Sequence, residues 1–349
     1  MSITKKSLHG AKKVADLYTP HNWKTHNWSW RIALILGTII FLCLLLMFWW
    51  SSEPERFDLE AARSAYLGEN ETPVVGSAVT GTTAKILDTL LHKPGGYLRN
   101  DVTPPGIFMD NIPEWEFGVI RNLRETIRTL RYDFSRSQSQ SRSVKALEEA
   151  DNDMNRDADK WITFPTPEAS FSEAQEKIIA YGHEIADNND ANGQFYARAD
   201  NLVSYLEQSS KSLGDLSQQL SASVGDTVID RDTGNGEHSK ATPAIRLERT
   251  PRLRIDNIFY LARGYSWALL HELEAIRIDF KGILEKKGAL ASLDQIINEL
   301  EKAQNPVWSP IILNGRGFGF SANHSLVMGS YLSRANAGII DLIRLLREG

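Results

Sequence analysis

The chain of 349 residues contains one cysteine, Cys43, which lies inside its most apolar stretch. No intrachain disulfide can form, no thiolate is available outside that stretch, and cysteine-based zinc sites are excluded. A serine-nucleophile elbow is missing too, since G-x-S-x-G does not occur. Two His-Glu pairs, His183-Glu184 and His271-Glu272, lack the second histidine that a zincin helix needs four residues on. Asp187 and Ala275 stand there instead, so no metal site and no cofactor are expected. The run Asn314 to Phe320 (NGRGFGF) has neither P-loop spacing nor a strand before it. A connection between helices accounts for it, and a mobile binding loop is its alternative use. Strand-like alternation is sparse, with Ile311-Ile312-Leu313 the best short stretch, and the fold class expected is all-α.

Long hydrophobic runs are equally scarce, and the single one decides most. Ile32 to Trp50 is an uncharged run of 19 residues. As a helix it would span roughly 28 Å at about 1.5 Å per residue, enough for a bilayer core. Residues 1–31 carry six Lys or Arg against Asp16 alone, a net charge of +5, and Glu53, Glu55, Asp58 and Glu60 follow the run. This bias places a basic leader, 1–31, in the cytoplasm, with setting topology as its role, and the rest across the membrane. Trp28 and Trp30 on one side and Trp49 with Trp50 on the other fit the interfacial belt. The core is too long for a cleaved signal, and Ser51-Ser52-Glu53-Pro54 is a poor cleavage site.

Taking the leader's six basic and one acidic residues from totals of 39 and 44 leaves 33 and 43, about −10 for the exported part. That balance excludes nucleic acid and disfavours anionic head groups as partners, and it keeps a domain soluble.

Residues 51–81, with Pro54, Pro73, Gly76 and Gly81, read as a tether. A helix is expected at 82–93, ended by Pro94-Gly95-Gly96. Ile120, Leu123, Ile127, Leu130 and Phe134 then form one apolar stripe of a long helix. Ser172 with Gln175 suggests a capping box opening a second helix, and a third is expected from Tyr196 to Leu220. Segment 226–249, with Asp232-Thr233-Gly234-Asn235-Gly236, reads as an exposed linker. Beyond it the pattern returns. Residues 256–280 align without gaps on 110–134 with eight identities, including Gly118/Gly264, Leu123/Leu269, Arg131/Arg277, Asp133/Asp279 and Phe134/Phe280. Ser292-Gln295 repeats the capping box, and 330–346 agrees with 204–220 at six of 17 positions. Two tandem units of three helices each, 82–225 and 250–349, are the expected organisation.

The repeated Asp133 and Asp279 are the only candidates for an acid–base pair facing one cleft. The plainer role for them is a helix-end ion pair or cap.

Two stretches, NIPEWEFGVIRNLRETIRTLRYDFSRSQSQS (Asn111 to Ser141) and GQFYARADNLVSYLEQSSKSLGDLSQQLSASVG (Gly193 to Gly225), carry a resemblance. With the N-terminal anchor and the C-terminal helix they resemble the bacterial membrane proteins grouped as domain of unknown function 2333. The resemblance implies a Gram-negative inner membrane and a periplasmic exported domain, and it supplies no catalytic residues. The leading expectation is a single-pass protein, held to the bilayer by its anchor, whose helical domain binds or scaffolds envelope proteins rather than catalysing a reaction. A hydrolase of cell-wall glycan or peptide using Asp133 and Asp279 is the alternative, and a lipid or small-ligand carrier the third.

Overall fold

Asn27 sets the start of the apolar helix, its side-chain oxygen accepting the Trp30 N–H at 3.2 Å. Helix α1 therefore covers Trp28–Trp50 and takes Trp28 and Trp30 into its first turn. The computed structural model describes residues 27–348 apart from 69–70, 138–142, 188–192, 230–244, 310 and 316–320, and before 27 only Lys12, Tyr18, Thr19, Trp23 and Thr25. With 23 residues, α1 is long and apolar enough to cross a membrane, and none of its residues is buried.

Ten more α-helices follow among the described residues: α2 (Leu59–Ala65), α3 (Ser77–His92), α4 (Asn111–Thr129), α5 (Lys145–Met154), α6 (Pro167–Ala186), α7 (Ala199–Ser221), α8 (Ile255–Asp279), α9 (Lys281–Lys286), α10 (Leu290–Ala303) and α11 (His324–Glu348). The fold is all-α, with one π-helical turn, Leu130–Phe134, continuing α4. The stretch expected as a linker carries one short antiparallel ribbon, β1 (Asp226–Ile229) with β2 (Ile245–Glu248). The Asp232–Gly236 turn and most of the NGRGFGF run lie outside the described residues. Helix α6 begins earlier than its expected capping box. Thr166 caps it, Pro167 opens it, and Gln175 reaches instead to the Ala84 carbonyl at 3.1 Å. Ser292 likewise sits inside α10 rather than capping it.

Helices α4 and α8 lie side by side and run the same way. Asp110 faces Asp256 at one end, Gly118 meets Gly264, and the Phe134 and Phe280 rings pack 5.1 Å apart at the other. A Cβ on Gly118 would enter the shell of the Leu261 carbonyl oxygen, and one on Gly264 that of the Trp115 carbonyl oxygen. The two backbones touch there because neither residue has a side chain.

With the starts of α4 and α8 as the lower end, the other helices alternate around this pair. α3 descends from Asp279 to Glu116, and α7 descends from Phe134 to Arg121. α5 and α10 also descend. Each supplies the ion-pair partner of a repeated arginine, Asp151 to Arg131 at 2.7 Å and Asp294 to Arg277 at 2.5 Å. α6 and α11 ascend, and each lies against a descending helix, α3 and α7 respectively. Along the chain α3, α4, α5 and α6 thus descend and ascend in turn, and α7, α8, α10 and α11 do the same. The expected three-helix units matched α7 to α11. Those two run antiparallel, with Ser217 beside Gly329 and Ser333, Ser210 on Asn336 and Glu207 on Arg347. A leucine stripe has the same spacing read in either direction along a bundle, so the pattern did not distinguish them.

Gly264→Leu should lower stability by about 3 kcal/mol, because the clash is with backbone. Gly282→Ala on α9, where a Cβ meets nothing within 4 Å, should leave stability unchanged or raise it by up to about 1 kcal/mol. Thermal unfolding of the two full-length variants checks both.

Candidate functional site

A buried ion pair organises the lower end. The Lys93 ammonium lies 2.5 Å from Glu116, with side-chain exposures of 1% and 0%. The same carboxylate accepts the N–H groups of Leu98 at 3.0 Å and Arg99 at 2.8 Å, while Lys93 also donates to the Gly96 carbonyl at 2.5 Å. These extra hydrogen bonds offset part of the desolvation, and burial still holds the Glu116 carboxyl above its ordinary range. The turn so held contains Gly95 at φ +86°, and the ring of Trp50, the last residue of α1, occupies the space its Cβ would need.

From Trp50 the chain climbs the bundle instead of spacing it away. Glu53 pairs with Arg263 of α8 at 2.5 Å, and Arg263 also donates to the carbonyls of Ala303, Gln304 and Asn305. Arg56 bridges Glu274 and Glu301. The Phe57 ring stacks on His271 at 4.1 Å, edge-on to Trp267 at 5.8 Å. Residues of α2 lie against Gly81 of α3, and Glu71 reaches His183 of α6 at 2.8 Å. Gly76, with φ +102°, lets Phe195 pack on the turn into α3. The segment expected to be a tether is a docked strap along the whole height of the bundle.

Both His-Glu pairs have structural partners. His271 donates from Nδ1 to the Trp267 carbonyl at 2.8 Å and accepts the Phe57 N–H on Nε2 at 3.4 Å. Burial holds its pKa down at about 4, so the ring is neutral. Glu272 beside it is wholly buried, accepts the Thr83 hydroxyl at 2.9 Å, and is pushed up by burial to about 8.

The two candidate carboxylates serve different places. Asp279 accepts the Val79 N–H at 2.8 Å and faces those of Gly76 and Ala78, so it caps α3. Burial outweighs these hydrogen bonds and raises it to about 6. Asp133 is half-buried beside Asp200 of α7, and burial and that neighbour raise it. It lines a side cleft of about 430 Å³ with Arg121, Arg124, Glu125, Arg128 and Ser204. Glu125, the other raised carboxylate there, is engaged by Tyr265 at 2.7 Å and Ser212 at 2.6 Å. It precedes Asp133 by eight residues, about 12 Å of helix rise, beyond the separation of roughly 5–9.5 Å that glycosidase pairs use.

Two further clefts open at the lower end. One, of about 570 Å³, is lined by both signs of charge: Arg249 and Arg254, Arg99 paired with Glu114 at 3.5 Å, and Asp215. The other, of about 330 Å³, lies between α8, α11 and the loop after α10, and Phe259, Val307, Trp308, Met328 and Tyr331 make it apolar. Among the described residues no group of three or more His, Cys, Asp and Glu is placed to hold a metal. Sequence reasoning missed the strap's seats, Arg263, His271 and Trp267. Their only signal was Phe57, Leu59, Tyr66 and Leu67 standing among the polar residues that follow the apolar run.

Glu272 gives a pH signature. Its folded pKa lies above that of an unfolded glutamate, so its stabilising protonation is complete below about pH 4.5 and lost as pH rises towards 8. Relative to Glu272→Gln, the wild type should lose stability with a slope approaching about 1.4 kcal/mol per pH unit across the middle of that window. Chemical unfolding of both proteins at pH 5, 6.5 and 8 measures it, and parallel curves would contradict the assignment.

No curated protein and no solved structure matches the chain. A profile described as an uncharacterized protein conserved in bacteria matches residues 23–349, nearly the whole length and every helix just described. The chain belongs to that bacterial family, DUF2333.

Proposed function

We propose that this is a single-pass inner-membrane protein, its leader cytoplasmic and its helical domain periplasmic, and that the domain is an interaction module that binds or scaffolds envelope proteins. The observation that carries this is the docked strap. Retention at a membrane needs only a flexible leash, whereas Trp50, Glu53 and Phe57 hold this domain in one pose on α1. A fixed pose serves presentation of a surface. The basic leader and acidic flank support the direction of insertion. The cleft lined by Arg249 and Arg254 as well as by Glu114 and Asp215 suits a partner segment carrying both signs of charge.

A carrier of a lipid or small apolar ligand is the second reading, favoured by the cleft beside Trp308. No comparable geometry favours a hydrolase, because Asp279 is engaged at the start of α3 and Asp133 opens on a different face.

A C-terminal alkaline phosphatase fusion should be active in cells and a cytoplasm-dependent fluorescent fusion dark; the reverse result overturns export. A photocrosslinking residue at Arg249 or Gln218 should give discrete protein adducts in the living envelope. The same residue at Met328, within the apolar cleft, should give few. Adducts to lipid there, with none to protein at Arg249, would replace the interaction module by the carrier.

A further inference from the structure

The described surface of the domain distributes its exposed apolar side chains unevenly. Phe108, Ile162, Phe164, Leu253, Trp308 and Ile311 range from 66% exposed at Ile311 to 100% at Phe164. All six lie in loops of the lower end. Among their described residues, the upper-end loops around 135–144, 187–198 and 280–289 expose no large apolar side chain, and the turn into α3 exposes Val75 at 52%.

Contacts already described place these loops around the exit of α1. The Phe108 loop follows the Gly95–Leu98 turn on which Trp50 packs. The loop with Ile162 and Phe164 is tied to that turn by Tyr97, which donates to the Ala158 carbonyl at 2.8 Å, and by Arg99 on Asp159 at 2.5 Å. The Trp308 and Ile311 loop leaves α10 at the carbonyls bound by Arg263, the residue that also holds Glu53. Leu253 stands just before α8, in a segment lining the same cleft as Arg99. Solvent is a poor medium for six such side chains on one end of a domain.

We propose that this end is a lipid-contact surface, seating the domain in the interfacial layer of the bilayer that α1 spans. The inference rests on the anchor reading above. Tryptophan and phenylalanine suit that layer, where an apolar ring meets head groups. Arg252, exposed beside Leu253, faces anionic head groups there, while Arg249 and Arg254 line the charged cleft. The acidic residues of the neighbouring loop are neutralised, Asp157 by Lys160 at 3.0 Å and Asp159 by Arg99. Asp110 and Asp256, facing each other at the starts of α4 and α8, keep acidic groups at this end as well.

The test uses the full chain in vesicles of phosphatidylethanolamine and phosphatidylglycerol, with a nitroxide on the lipid or iodide in the water as quencher. A fluorophore is attached at native Cys43, or, in a Cys43→Ser background, at Phe164→Cys, Trp308→Cys or Lys145→Cys. Lys145 opens α5 at the upper end and is the aqueous control. Labels at 164 and 308 should lose most of their emission to the lipid nitroxide and little to iodide, with the label at 145 the reverse. The proposal is overturned if 164 and 308 behave like 145. It is also overturned if both are shielded from both quenchers, which would mean a protein covers them. A label at Cys43 that escapes the lipid nitroxide would overturn the anchor reading itself, and is separate from either failure.

Discussion

The contact between the backbones of α4 and α8 at Gly118 and Gly264 is the constraint on which the other helices depend. Two helices that touch this closely cannot tolerate a side chain at the crossing, and their parallel course fixes where every neighbour must start and end. Asp279, at the upper end of α8, receives the first N–H groups of α3. Asp133, at the matching point beyond α4, lies beside the second residue of α7. Thr83 on Glu272 and Tyr205 beside Thr126 hold the same two descending helices midway down. The matching positions are 146 residues apart in the chain, as in the alignment of 110–134 with 256–280.

Much of this was legible in the residues. The apolar run, the stripes and the helix breakers gave α1 and α7 to within a few residues, the end of α3 and the buried face of α4, because hydrophobic periodicity and Pro-Gly turns act locally. The identity of Gly118 with Gly264 was also visible, though its meaning was not. A glycine inside a helix signals close approach only once the partner is known. The grouping of helices was beyond reach, since a stripe says which face is buried and nothing about the neighbour's direction. The strap was missed because it is held by single side chains at irregular spacing: Glu53, Phe57 and Glu71 each find a partner at least 112 residues on.

The polar groups that looked most like chemistry turn out to build the fold. His183 and His271 anchor the strap, Glu272 holds α3, and Asp279 caps it. Asp279 was recognisable as a helix-end residue, yet the helix it caps begins 202 residues earlier in the chain. Long-range capping of this kind has no local sequence signature, which is why a repeated aspartate could pass for half of a catalytic pair.

The docked strap also sets a length scale. Residues 51–76, drawn out, would carry a domain some 85 Å or more away from the end of α1. Laid along the bundle, they leave the farthest point of the domain only about the height of α8 away, roughly 37 Å for its 25 residues. With α1 set in a bilayer as proposed, whatever meets this domain comes within that shallow layer, and its search becomes one across a surface more than through a volume.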